Sequence, residues 1–98
     1  MKSITAEKLA EKLQRNENIH IIDVREDFEV AEGKIPGSIN IPLGELPERL
    51  DQLDKNKHYY LVCRSGGRSA RGCSYLAQRG YNVTNVEGGM LAWTGDIE

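Results

Sequence analysis

The stretch His58-Tyr59-Tyr60-Leu61-Val62-Cys63-Arg64-Ser65-Gly66-Gly67-Arg68-Ser69 decides how this chain folds. His58 to Val62 reads as a short buried strand, and Ala70 to Arg79 as a helix that stops at Gly80. Between them, Cys63 stands at the carboxyl tip of the strand, ahead of two glycines, an arginine and a helix start near Ser69. Glycine tolerates positive φ, so Gly66-Gly67 can turn successive backbone N–H groups inward as a nest. The helix start adds unpaired N–H groups and the positive end of its dipole. Arg64 and Arg68 add full charges. Such surroundings favour thiolate over thiol, lowering a cysteine pKa from its ordinary value of about 8.5. They also draw an anionic substrate to that thiolate. A cysteine that merely ended a core strand would need neither the Gly-Gly turn nor the flanking arginines.

Charge is distributed in the same sense. Lys55 to Val86 carries six basic residues and no acid, on a chain whose formal net charge is −2. The nucleophile segment is therefore an electropositive island on an acidic protein. That suits a small anion; nucleic acid would want a broader basic face and aromatic platforms. No apolar run approaches the length of a membrane span, and Met1 to Thr5 leads into a charged amphipathic helix rather than a signal-peptide core. The expected location is cytoplasmic, where thiols stay reduced. Two cysteines are too few for a disulfide scaffold, and no CxxC or Cys/His cluster offers a metal site. The 98 residues are expected to form one domain, 1–98.

Outward from the loop, elements alternate. Ala6, Leu9, Ala10 and Leu13 follow helical spacing with Thr5 as N-cap. Ile19 to Val24 is a nearly continuous apolar strand, the mark of a sheet covered on both faces. Asp23 and Arg25 close its carboxyl end. Glu26 to Glu32 is a short acidic helical segment, Ile35-Pro36-Gly37 a turn, and Ser38 to Ile41 a short strand stopped by Pro42. Leu46, Leu50 and Leu53 recur at helical spacing behind Pro47. Cys73, Leu76 and Ala77 are expected to face the core from the helix after the loop. Asn82 to Val86 is a further strand, and Gly88-Gly89 turns into the apolar Met90 to Trp93, with Trp93 as a core plug. The pattern predicts an α/β fold in three layers, with a mostly parallel sheet of about five strands and helices on both faces.

That topology constrains the chemistry. Ligands of open parallel sheets bind beyond the carboxyl ends of the strands. Cys63, Asp23, Arg25 and Glu87-Gly88-Gly89 lie at such ends, while His20 and His58 lie at the opposite ones, as strand-edge surface residues. His58 begins the strand that Cys63 follows, about 17 Å away at roughly 3.3 Å per residue. A Cys–His general-base pair is thereby disfavoured. Without a base, a preformed thiolate needs a soft electrophile with a good anionic leaving group. Sulfane-sulfur transfer fits, and phosphoryl transfer is the other candidate.

The chain resembles the single-domain rhodaneses, or thiosulfate sulfurtransferases. Matching pieces are Asp23-Val24-Arg25, Ile35-Pro36-Gly37-Ser38-Ile39-Asn40-Ile41-Pro42, the Cys63–Ser69 loop, and Glu87-Gly88-Gly89-Met90-Leu91-Ala92-Trp93. They fall in family order from about Ile4 to Trp93. The resemblance implies a rhodanese-like domain that needs no cofactor, with Cys63 forming a persulfide. It implies that the backbone N–H groups of Arg64, Ser65, Gly66, Gly67, Arg68 and Ser69 bind the outer sulfur. Arg64 and Arg68 would help recognise the anion, and Asp23 and Arg25 would support the loop, unless they are a purely structural ion pair. The implied substrates are a small sulfur-containing anion such as thiosulfate or a persulfide, and a cyanide or thiol acceptor. A carrier or docking module for a protein sulfur donor or acceptor is the alternative.

Cysteine-dependent phosphatases and the related arsenate reductases look similar but carry five residues between cysteine and arginine; this chain carries four. A shorter loop makes a tighter ring, sized for one sulfur. Many family members have Gly-His-Ile-Pro-Gly where this chain has Gly33-Lys34-Ile35-Pro36-Gly37, so Lys34 is expected to be peripheral. Cys73 is expected to act as a small hydrophobe rather than a redox partner of Cys63.

Overall fold

The computed structural model describes residues 1–98. A five-stranded sheet runs β1 (Ser3–Thr5), β5 (Asn82–Glu87), β4 (His58–Val62), β2 (His20–Asp23), β3 (Ile39–Asn40) across its width, and every pairing is parallel. Parallel neighbours need crossovers. These are α1 (Ala6–Gln14), the short α2 (Asp27–Val30), a 3-10 segment (Leu43–Gln52) and α3 (Gly67–Gln78), with a last 3-10 turn at Gly89–Ala92.

Strand alternation sorts the core into two layers. Ile22, Val24, Tyr59, Leu61, Cys63 and Val83 face one side, against Leu46 of the 3-10 segment and Cys73 and Leu76 of α3. Ile21, Val62 and Val86 face the other, against Ala6 and Leu9 of α1, Ile35, and the half-buried Met90 and Trp93. Neighbours in sequence thus leave the sheet in opposite directions, as the period of two demands. Each fully buried Val, Leu or Ile side chain among them, taken out of water, contributes about 1.5–3 kcal/mol. Thr5 caps α1 as its sequence predicts, its Oγ1 accepting the Lys8 N–H at 3.2 Å. Trp93 covers the second layer and donates its indole N–H to the Asp96 carbonyl at 2.9 Å.

Several boundaries differ from the sequence reading. The strand β1 is absent from that reading, because Ser3–Thr5 has one apolar residue and owes its extended form to pairing with β5. The helix α3 begins at Gly67, not near Ser69, because Gly66 at φ 111° caps it in the left-handed region. Leu46, Leu50 and Leu53 belong to a 3-10 segment interrupted at Arg49 (φ −119°, ψ 18°) rather than to a regular helix. Ala77 is exposed; α3 packs through Ser69, Gly72, Cys73 and Leu76, a stripe rotated away from it. The histidines are half-buried rather than surface residues. His58 stacks on Tyr60 at 4.6 Å between ring centroids and places Nε2 2.7 Å from Thr84 Oγ1.

Candidate active site

The end of β4 delivers Cys63 to the carboxyl edge of the sheet, between the end of β2 and the Glu87-Gly88-Gly89 turn after β5. The turn fastens the cysteine's own backbone. Met90 N–H donates to the Cys63 carbonyl at 2.9 Å, and Leu91 N–H to the Arg64 carbonyl at 3.0 Å. Gly66, in its left-handed conformation, then swings its N–H back onto Cys63 Sγ at 3.1 Å. Ser69 adds its N–H at 3.4 Å and its hydroxyl at 3.4 Å. The backbone N–H groups hydrogen-bonded to the sulfur are those of Gly66 and Ser69, not of Gly67.

Electrostatics follow this geometry. Burial leaves Cys63 only 1% exposed and pushes its thiol pKa up. The Ser69 hydroxyl and the backbone N–H groups of Ser69, Gly66 and Ser65 outweigh that and bring it below the ordinary value. Cys73 has no such donors, and burial alone pushes it up to about 12. Glu29 is held down at about 2, chiefly by the Arg68 guanidinium. The pH profile of alkylation should therefore show one inflection, below the usual thiol range, since Glu29 stays ionised and Cys73 stays a thiol throughout. Ser69→Ala removes a donor to the thiolate, so the inflection should move to higher pH. Cys73→Ala should leave the profile where it is. Iodoacetamide rates from pH 5 to 10 test all of this; a second inflection lost in Cys73→Ala would overturn it.

The other residues singled out in the sequence fall as follows. Arg64 is exposed at the rim beside Cys63 and makes no ion pair. Arg68 does not stand open to the site. Its two terminal nitrogens grip both carboxylate oxygens of Glu29, at 2.6 and 2.8 Å. Asp23 and Arg25 form a buried ion pair, with Arg25 Nη2 2.9 Å from Asp23 Oδ2 and side-chain exposures of 8% and 0%. Neither hydrogen-bonds to the Cys63–Ser69 loop. Arg25 reaches the carbonyls of Glu29 (3.4 Å) and Gly33 (2.8 Å) instead, so its only link to the loop is indirect, through α2 and the Glu29–Arg68 pair. Removing one partner would strand a buried charge, at a cost of about 3–5 kcal/mol. Lys34 bonds the Ser38 carbonyl and pairs with Glu98, clear of the loop.

Two residues of the site are missing from the sequence reading. One is Glu29. The other is Asn85 of β5, buried behind the loop, whose Oδ1 lies 2.6 Å from Ser69 Oγ, competing with Cys63 Sγ for that hydroxyl's single proton, and whose Nδ2 donates to the Gly66 carbonyl at 3.3 Å. A buried asparagine in a central strand is costly unless partnered, and that is the signal it offers.

A cysteine with a lowered pKa and no histidine bonded to it, cradled by backbone at the carboxyl edge of a parallel sheet, is the centre of this α/β domain. The family profile described as "Rhodanese-like domain" matches residues 5–96. The chain is 49% identical, across its whole length and 95% of the relative's, to a Bacillus subtilis protein named "Putative sulfurtransferase YtwF". It is 37% identical, over 92% of its length and 85% of the relative's, to an Allochromatium vinosum protein named "Sulfurtransferase". The crystal structure of a rhodanese-like domain protein from Staphylococcus aureus superposes with a TM-score of 0.94. It is 44% identical, with 100% of this chain and 97% of that one covered. The chain belongs to the rhodanese-like sulfurtransferase family.

Proposed function

We propose that the protein moves sulfane sulfur through a Cys63 persulfide. The observation that carries this is the convergence of the Gly66 and Ser69 N–H groups and the Ser69 hydroxyl on Cys63 Sγ, with no general base nearby. The thiolate attacks the outer sulfur of thiosulfate; the donor's S–S bond breaks and its electron pair leaves with sulfite. The persulfide keeps one negative charge in the same cradle, held by backbone N–H groups of Arg64 to Ser69. An acceptor thiolate or cyanide then attacks the outer sulfur and Cys63 leaves as thiolate, so no proton or oxidant is consumed. Arg64 meets the donor's charge. Arg68, held by Glu29, sets the shape of the loop.

The spacing of Cys63 and Arg68, and the turning of Arg68 toward Glu29, speak against phosphate or arsenate in the cradle. A carrier role toward a protein partner has one supporting observation. The chain is 38% identical to a Bacillus subtilis protein named "Putative sulfur carrier protein YrkF" and spans 52% of its length. Intact-protein mass spectrometry after thiosulfate and desalting tests the persulfide. A gain of one sulfur atom, removed by cyanide, is expected. No gain with thiosulfate, polysulfide or an organic persulfide would overturn the reading.

A further inference from the structure

Cys63 Sγ is enclosed by the loop's own N–H groups. Cys63 is 1% exposed, so a donor inserts only its terminal sulfur and leaves its remaining atoms outside. What they meet there is a groove of about 510 Å³ directly against the loop, walled by Phe28, Glu29, Glu32, Arg64, Met90 and Leu91. Phe28 and Leu91 are 73% and 66% exposed, and with Met1 they are the three most exposed large apolar side chains. Water-facing apolar groups that converge on the mouth of a site, from α2 and from the turn after β5, form a surface suited to an apolar body.

Charge accounting narrows the ligand further. Four charged groups near the loop cancel in two closed pairs, Asp23 with Arg25 and Glu29 with Arg68. Arg64 is left as the free cation of the groove, and Glu32 as an exposed acid facing it. A compact dianion gains one positive partner here, meets an opposing carboxylate, and leaves the apolar walls wet. A monoanion with an apolar body puts its charge at Arg64 and the cradle and covers Phe28, Met90 and Leu91.

We infer that the preferred sulfur donor is an organic, monoanionic sulfane-sulfur compound with an apolar body rather than inorganic thiosulfate. This rests on the sulfurtransferase reading above and names its substrate class. For an organic thiosulfonate, Cys63–S⁻ bonds to the terminal sulfur of R–SO₂–S⁻. The donor's S–S bond breaks with its electron pair on the sulfinate R–SO₂⁻, so charge and atoms balance. An organic hydropersulfide R–S–S⁻ reacts the same way and releases the thiolate R–S⁻.

Benzenethiosulfonate and thiosulfate make the test, because both present a terminal sulfur on a sulfonyl centre. They differ in the apolar body and in one unit of charge. Each kcat/KM, with cyanide as acceptor, is divided by that donor's rate with free cysteine thiolate. The normalised preference for benzenethiosulfonate should be about tenfold or more, and Phe28→Ser with Leu91→Ser should erase most of it. Glu29→Gln should shift the preference about threefold toward thiosulfate, because Arg68 then carries charge no longer cancelled. Persulfide formation with no aromatic preference, or a preference that the double variant does not change, would overturn this inference and leave the sulfurtransferase standing. Absence of a mass gain with either donor would overturn both.

Discussion

Cys63→Ser should lower sulfur transfer by about four orders of magnitude or more while the domain keeps its fold. A serine hydroxyl is not ionised at neutral pH, and the cradle has no base to take its proton. His58 lies at the far end of β4, already engaged with Thr84. The substitution is otherwise mild. Serine fills slightly less space, and its hydroxyl finds the Gly66 and Ser69 N–H groups that the sulfur leaves behind. Stability should therefore change by no more than about 1 kcal/mol. Thiosulfate–cyanide turnover and urea denaturation of parent and variant make the check. Activity above about one hundredth of the parent would mean that another group carries the sulfur, since a sole nucleophile leaves no such remainder.

Gly89→Ala should have the second largest effect, though residue 89 touches no substrate. A Cβ there would lie 2.4 Å from the Cys63 carbonyl oxygen and 2.6 Å from that of Arg64, at a φ of 53°. Both obstacles are backbone, and both carbonyls are the ones that Met90 and Leu91 hold in place. The turn or the cysteine loop must move, so stability should fall by about 2–4 kcal/mol. A displaced Cys63 loses its aimed donors, and sulfur transfer should fall about a hundredfold. Its alkylation inflection should rise toward that of an ordinary thiol. Gly44→Ala is the matched comparison: nothing lies within 4 Å of its Cβ position and its φ is ordinary, so little should change. If the two variants melt alike, the turn does not hold the loop.

How much of this was legible beforehand depends on the range of each interaction. The apolar runs around Ile21 and Leu61, the cap at Thr5 and the Cys63–Gly67 turn express themselves over a few residues. They convey the parallel sheet, the layers and the nucleophile. Glu29 and Arg68 are 39 positions apart, and nothing near either one names the other. The same distance hides the difference between an arginine open to substrate and one closed on a carboxylate. Ala77 shares a helical stripe with Cys73 by spacing, but the sheet selects a neighbouring stripe. The strand at Ser3–Thr5 exists through its neighbour alone.

The parallel register also dictates when the thiol can become reactive during synthesis. Cys63 leaves the ribosome well before Asn85, Met90 and Leu91, the residues that clamp its loop, and β5 must dock beside β4 to bring them there. Until those last contacts close, the nascent chain carries an uncradled cysteine of ordinary reactivity. The nucleophile is thus armed only once β5 and the turn after it have emerged and docked, and a chain that has not reached that point carries no activated sulfur.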